Sequence, residues 1–200
     1  MKNSELTYKE IYGQPVSFQA VNDTLDTIFK TLDEVFAEKY DEVIFTGCGT
    51  SLYLAQASAH AFSTCTGISA KGMCCSELYY FPETYVGNGK KVLVVPMTRK
   101  SYTTEVRMAI DKVRSYPGVK SLAITCDPDS SKYNDYMLLS PETPEDSVIM
   151  TRSFTSMIYL AVVMSYYVGG KKEKIEQLKD YAANAESFLK ATDEMAKKIV

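Results

Sequence analysis

The stretch Glu42-Val-Ile-Phe-Thr-Gly-Cys-Gly-Thr-Ser51 constrains this chain more than any other. An apolar run of β type breaks into two glycines and then two hydroxyls where an amphipathic helix begins. Gly47 and Gly49 let the backbone come close to an anion, and the hydroxyls of Thr50 and Ser51 can donate to it. The helix that follows supplies unpaired N–H groups and the positive end of its dipole. This corner predicts a site for a phosphorylated small molecule.

Around the corner, strands and helices alternate. Residues 18–37 carry Val21, Leu25, Ile28, Phe29, Leu32, Val35 and Phe36 at the spacing of one helix with one buried face. Glu10-Ile-Tyr-Gly-Gln-Pro15 before it reads as a short lead-in ended by proline. Strands are expected at 43–46, 69–74 (the weakest), 92–97, 119–125 and 136–139, with helices at 51–65, 103–116 and 153–168. Apolar strands separated by helices predict an α/β fold, a three-layer sandwich with a five-stranded parallel sheet flanked by helices. Gly169-Gly170 is a helix stop. Beyond it, 171–200 reads as a charged helix with Ile175, Leu178, Ala182, Phe188 and Leu189 on one side.

Two hundred residues, 46% of them hydrophobic and 24% charged, give one ordinary domain with room for a core. A net charge of −3 argues against nucleic acid as a general partner, because duplex binding needs clustered Lys and Arg. Met157 to Val168 is interrupted by Ser165 and too short to cross a bilayer, and MKNSELTYKE lacks an apolar signal segment, so no membrane association and a cytoplasmic location are expected. Five cysteines without a CxxC pair argue for reduced thiols over a disulfide framework or zinc site. The single histidine, His60, excludes most Ser/His/Asp, Cys/His and multi-histidine metal schemes within this chain. Neither a metal nor a cofactor is expected.

Ligands of parallel sheets bind where loops leave the carboxyl ends of strands, so loops 47–51, 97–103 and 142–152 are expected to converge on one crevice. The second loop offers hydroxyls from Thr98, Ser101 and Thr103 and charge from Arg99 and Lys100. Arg suits forked phosphate contacts, and Lys acts as a point charge. Thr103-Thr104-Glu105 also reads as a helix cap, which is compatible with binding. In the third loop, Glu145 and Asp146 read as ordinary residues ahead of a helix, or alternatively as contacts to sugar hydroxyls or to a neighbouring subunit.

Taken in order, GCGTS after the first strand, the Ser/Thr-rich loop after the third, and Glu145-x-Ser-Val-x-x-Thr-Arg-Ser-Phe-Thr155 resemble the sugar isomerase (SIS) domain family. Glu10-Ile11 with Gly13-Gln-Pro15 also resembles the segment ahead of the first lobe in the family's amidotransferase and ketose/aldose isomerase branches. The resemblance covers about residues 10–170. It implies a flavodoxin-like five-stranded sheet and a phosphorylated sugar or amino sugar as ligand. It places Thr50 and Ser51 on phosphate positions of the first loop, Thr98, Arg99, Lys100 and Thr103 on those of the second, and Val148 and Met150 where the third loop touches the sugar. Where the family commonly has Ser-x-Ser-Gly-x-Thr, this chain has Thr98-Arg-Lys-Ser-Tyr-Thr103, and Met150 stands where serine is common. Ser101 disfavours the positive φ that glycine would allow. Lys100 is therefore expected to supply charge in place of a lost donor.

Aldose–ketose interconversion needs a base between C1 and C2 and an acid–base group for ring opening. His60, nine residues past Ser51, lies about 14 Å along the helix from the phosphate corner. Glu77 follows the second strand but reads as the start of a short helix. In two-lobed members of the family the proton-transfer groups come largely from a second lobe. The resemblance thus implies an N-terminal lobe of a longer isomerase, deaminase or deglycase, divided into 1–40 (lead-in and helix), 41–170 (phosphosugar-binding domain) and 171–200 (connector helix). Such a lobe pairs with a second lobe or as a homodimer, for which the apolar faces at 18–37 and 153–168 are candidates. A non-catalytic phosphosugar-sensing regulatory domain is the alternative. Gly47-x-Gly49 fits a dinucleotide site poorly, because Leu52 takes the third glycine's place and no acidic residue is clear at the end of strand two.

Overall fold

The computed structural model describes residues 3–87 and 89–199. Helices α1 (Asn3–Tyr12), α2 (Gln14–Asp23) and α3 (Leu25–Val35) lead into β1 (Glu42–Gly47). Then follow α4 (Thr50–Thr66), β2 (Ala70–Cys74), α5 (Cys75–Tyr80), α6 (Pro82–Val86), β3 (Val92–Thr98), α7 (Thr104–Val113) and β4 (Val119–Thr125). A 3-10 turn over Pro128–Lys132 connects to β5 (Tyr136–Leu139), and α8 (Arg152–Val168) and α9 (Lys172–Ala196) close the chain. The five strands are parallel, in the order β2-β1-β3-β4-β5.

Two local expectations change at the N-terminus. The lead-in is helical, and Pro15 sits in the first turn of α2, where its missing N–H costs nothing. The single helix expected over 18–37 is two helices broken at Thr24. There the amide and the hydroxyl both donate to the Val21 carbonyl, at 3.1 and 3.0 Å, so a local turn competes with continued helix. The apolar spacing survives the break, since Val21, Leu25, Ile28, Leu32 and Val35 are all buried.

Side chains that alternate along each strand separate two cores. Val43, Phe45, Leu93, Val95, Leu122 and Leu138 face α2, α3, α4 and α8, while Ile44, Val92 and Val94 face α5 and α7. Phe45 and Phe62 are fully buried with ring centroids 5.8 Å apart, and each such burial is worth about 1.5–3 kcal/mol. The apolar faces of α2–α3 and α8 go into this same core, so they are consumed within the chain. Helix α9 packs through Ile175, Ala182 and Ala185, and its buried face ends there: Phe188, expected on that side, is 60% exposed. No described helix is long and apolar enough to cross a membrane.

Gly72 on β2 lets α4 lie directly against the sheet, because a Cβ there would sit 2.4 Å from the Gln56 Cα. Gly72→Ala is expected to destabilise the fold by about 1–3 kcal/mol through overpacking, read as a lower urea midpoint at unchanged slope.

Candidate functional site

The strand order reverses between β1 and β3, so α4 and α7 leave the sheet in opposite directions and their N-termini open on a common crevice. A cleft of about 160 Å³ lies there, lined by Cys48 and Ser51 from the first corner, Thr98 to Lys100 and Thr103 from the second, and Met150 from the third.

Gly47 is required by close approach: a Cβ would come within 2.4 Å of the Ser51 carbonyl oxygen. Gly49, at φ +54°, turns the chain into α4 in a region that favours glycine. It brings no capping side chain, and the Ser51 and Leu52 amides turn back onto the Cys48 and Gly49 carbonyls at 3.1 Å each, so the positive end of the helix faces the cleft without a side-chain acceptor. Ser51 is buried against the cleft, and its hydroxyl makes no hydrogen bond within the described residues, whereas Thr50 is exposed.

The second loop is held from inside. Thr98 and Thr103 hydroxyls both donate to the Lys100 carbonyl, at 2.8 and 3.3 Å. The Thr103 side chain therefore does not cap α7, whose N-terminus is also uncapped. Ser101 donates through its amide and its hydroxyl to Asp127 Oδ2, at 2.9 and 2.7 Å. Its φ is not positive, as Glu142 is the only described non-glycine residue with positive φ. Ser101 is thus anchored to Asp127 in a conformation that a side chain tolerates. Lys100 makes no ion pair among the described residues, and its Nζ lies 5.8 Å from the Tyr102 ring. It is the charge the cleft can offer.

Arg99 lines the cleft but is engaged elsewhere: Nη1 donates to Glu145 Oε2 at 3.1 Å and to the Ser147 carbonyl at 3.0 Å. Glu145 also accepts from the Thr151 amide at 2.6 Å and hydroxyl at 2.8 Å, and from the Ser153 amide and hydroxyl. This carboxylate thereby fills the N-terminus of α8. Burial opposes its ionisation, yet the donors from Ser153, Thr151 and Arg99 together hold its carboxyl below the usual range.

Of the other third-loop candidates, Met150 lines the cleft and Val148 does not. Val148 is 92% exposed and borders a separate groove with α1. A larger hollow of about 650 Å³ adjoins the cleft, sharing Arg99 and Lys100 and bounded by Asp127, Glu142 and Asp146. Periodicity gave no sign of Glu10, which is buried and accepts from the amides of Asp146 and Ser147 at 2.7 and 3.0 Å. Nor did it reveal the roles of Asp127 and Glu145. The only signal was a carboxylate beside a Ser/Thr-rich stretch. His60 is exposed on α4, and Glu77 accepts from the Tyr85 hydroxyl at 2.8 Å, so neither lines the cleft. Among the described residues no group of three or more His, Cys, Asp or Glu side chains is disposed to hold a metal ion.

Glu145→Ala leaves the Arg99 guanidinium and the α8 amides without their acceptor, and is expected to cost roughly 3 kcal/mol in chemical denaturation. Because the folded carboxyl is held low, its contribution is present in full above the unfolded carboxylate's pKa of about 4.3 and is lost as pH falls through the folded value. Acid unfolding of Glu145→Gln should accordingly show a shallower loss of stability below about pH 4 than the parent chain.

Comparison with known proteins agrees with this architecture. The model of the SIS domain matches residues 37–168. A glutamine–fructose-6-phosphate aminotransferase of Helicobacter pylori is 26% identical over 166 residues, covering 80% of this chain and 27% of that protein. The D-galactosamine-6-phosphate deaminase AgaS of a Shewanella species is 26% identical over 175 residues, covering 80% of this chain and 45% of that protein. The chain therefore spans less than half the length of these relatives. The crystal structure of tagatose-6-phosphate ketose/aldose isomerase from Escherichia coli superposes with a TM-score of 0.78 over 93% of this chain and 53% of that one, and at 21% identity it speaks to the fold alone. Sheet order, the placement of the three loops and the family match agree: this chain belongs to the SIS domain family.

Proposed function

We propose that the chain is a phosphosugar-binding lobe of an aldose–ketose isomerase, deaminase or deglycase. The observation that carries this is the pair of uncapped helix N-termini, α4 and α7, facing one small cleft beside the unpaired ammonium of Lys100. Helix ends and a lysine are suited to a phosphate dianion. The 160 Å³ volume suits a phosphate group, since whole small-molecule sites run to about 300–1,000 Å³. The sugar then extends out of the cleft, toward Met150 and the adjoining hollow. Ser51 donates to the phosphate, Lys100 balances its charge, and Thr98 and Thr103 act indirectly by holding the Lys100 backbone.

The cleft lining contains no carboxylate and no imidazole. In this reading the groups that move a proton between C1 and C2 come from a second lobe or a second copy of the chain. The 53% coverage of the Escherichia coli isomerase chain speaks for a second lobe, with 1–40 as lead-in, 41–170 as the binding domain and 171–200 as connector. The setting is cytoplasmic, where sugar phosphates are handled. The same bare lining also favours a second reading, a phosphosugar sensor without turnover. Turnover assays on a chain extended past Val200 separate the two.

Titration calorimetry with fructose 6-phosphate tests the proposal. Lys100→Ala is expected to weaken binding about tenfold or more, as for loss of a charged hydrogen bond of about 1.5–3 kcal/mol. Unchanged affinity would remove Lys100 from the site. In thermal-shift screening, hexose phosphates should stabilise the chain and NAD should not. The opposite pattern would replace the proposal with a dinucleotide site.

A further inference from the structure

Three of the five cysteines meet at the carboxyl ends of β1 and β2. Gly47 pairs with Cys74 at the last rung of the parallel ladder, so Cys48 and Cys75, the next residue on each strand, leave the sheet side by side. Neighbouring strands run about 4.7–4.9 Å apart, within the roughly 4.4–6.8 Å between Cα atoms that a disulfide spans. Both residues pack in the core on the α5–α7 face. Thr46 Oγ1 donates to Cys75 Sγ at 3.3 Å, and Cys48 packs against the cluster to which Cys75 belongs.

The two thiols differ in access. Cys75 is fully buried, whereas Cys48 is partly exposed and lines the cleft. The neighbouring Cys75 thiol holds the Cys48 thiol below its ordinary range, against burial and the Glu105 carboxylate. The closeness of Cys48, with burial, pushes the Cys75 thiol up. A reachable thiol that readily becomes thiolate thus stands in front of a sheltered one.

We propose that Cys48 is a site of oxidation by hydroperoxides, that Cys75 is its resolving thiol, and that the disulfide they form disables the neighbouring cleft. The Cys48 thiolate attacks a peroxide oxygen; the S–O bond forms as the O–O bond breaks, and the departing alkoxide or hydroxide takes a proton. Cys48 is then a sulfenic acid. The Cys75 sulfur attacks it, the S–S bond forms, the S–O bond breaks, and hydroxide leaves with the Cys75 proton as water. In sum, two thiols and one hydroperoxide give a disulfide, an alcohol (or water) and water. Because the Ser51 amide donates to the Cys48 carbonyl at 3.1 Å, drawing Cys48 toward β2 carries the first turn of α4 with it. Gly47 and Gly49 on either side give the backbone freedom to follow.

The test treats the reduced chain with hydrogen peroxide, alkylates the remaining thiols, digests with trypsin and fragments the products by mass spectrometry. The expected product is a cross-link between the Cys48 and Cys75 peptides, with Cys65 and Cys126 alkylated. Cys48→Ser should abolish the link. Cys75→Ala should stop the reaction at a Cys48 sulfenic acid that dimedone captures; if that variant does not fold, a short peroxide pulse with dimedone on the parent chain should label Cys48 first. First labelling of another cysteine, a link through Cys74 or Cys65, or an unreactive Cys48 overturns the proposal. Its effect on the cleft rests on the phosphosugar reading. The disulfide form should bind fructose 6-phosphate about tenfold more weakly than the reduced form. Equal affinity of the two forms overturns that part of the proposal. A reduced chain that forms the link yet never binds the sugar phosphate overturns the phosphosugar reading and leaves the thiol pair standing.

Discussion

Glu145 is the contact on which the mouth of the sheet depends. A buried carboxylate is costly unless its lone pairs find donors, and here the donors come from two places. Arg99 arrives from the loop after β3, and Thr151 and Ser153 from the start of α8. One side chain thus fixes two loops 46 residues apart. Glu10 works from the other side with one oxygen only, its Oε1 holding the Asp146 and Ser147 amides from α1. The N-terminal helix is in this sense part of the scaffold of the loops.

This arrangement divides the helix N-termini into two kinds. The start of α8 is neutralised by the protein's own carboxylate, while those of α4 and α7 carry no capping side chain and face the cleft. In a chain of net charge −3 such a local concentration of positive potential has to be built from oriented amides and one ammonium, because the overall field points the other way. Electrostatics and topology agree on the place, since the crevice is also where the strand order reverses.

Much of this was legible from residues alone. β4 and β5 fall on the expected bounds, and the glycines of GCGTS mark the corner. What escaped was long-range or conditional. The break at Thr24 turns on one hydroxyl choosing the Val21 carbonyl, which periodicity cannot register because the apolar spacing continues across it. Arg99 reads as a phosphate ligand until its partner at 145 is known, and Ser101 reads as a free hydroxyl until Asp127 is brought beside it. Val148, apolar within a motif, reads as a contact and is open to solvent. Each of these depends on which distant polar group arrives, and local sequence holds no record of that.

Because the guanidinium of Arg99 is turned inward, the cation left in the cleft is a lysine. A planar fork would impose a fixed orientation on the anion, but an ammonium on a flexible stem imposes almost none. If the cleft holds the proposed phosphate ester, that cation leaves the ester free to rotate, so discrimination among epimers would fall to whatever surrounds the carbon skeleton.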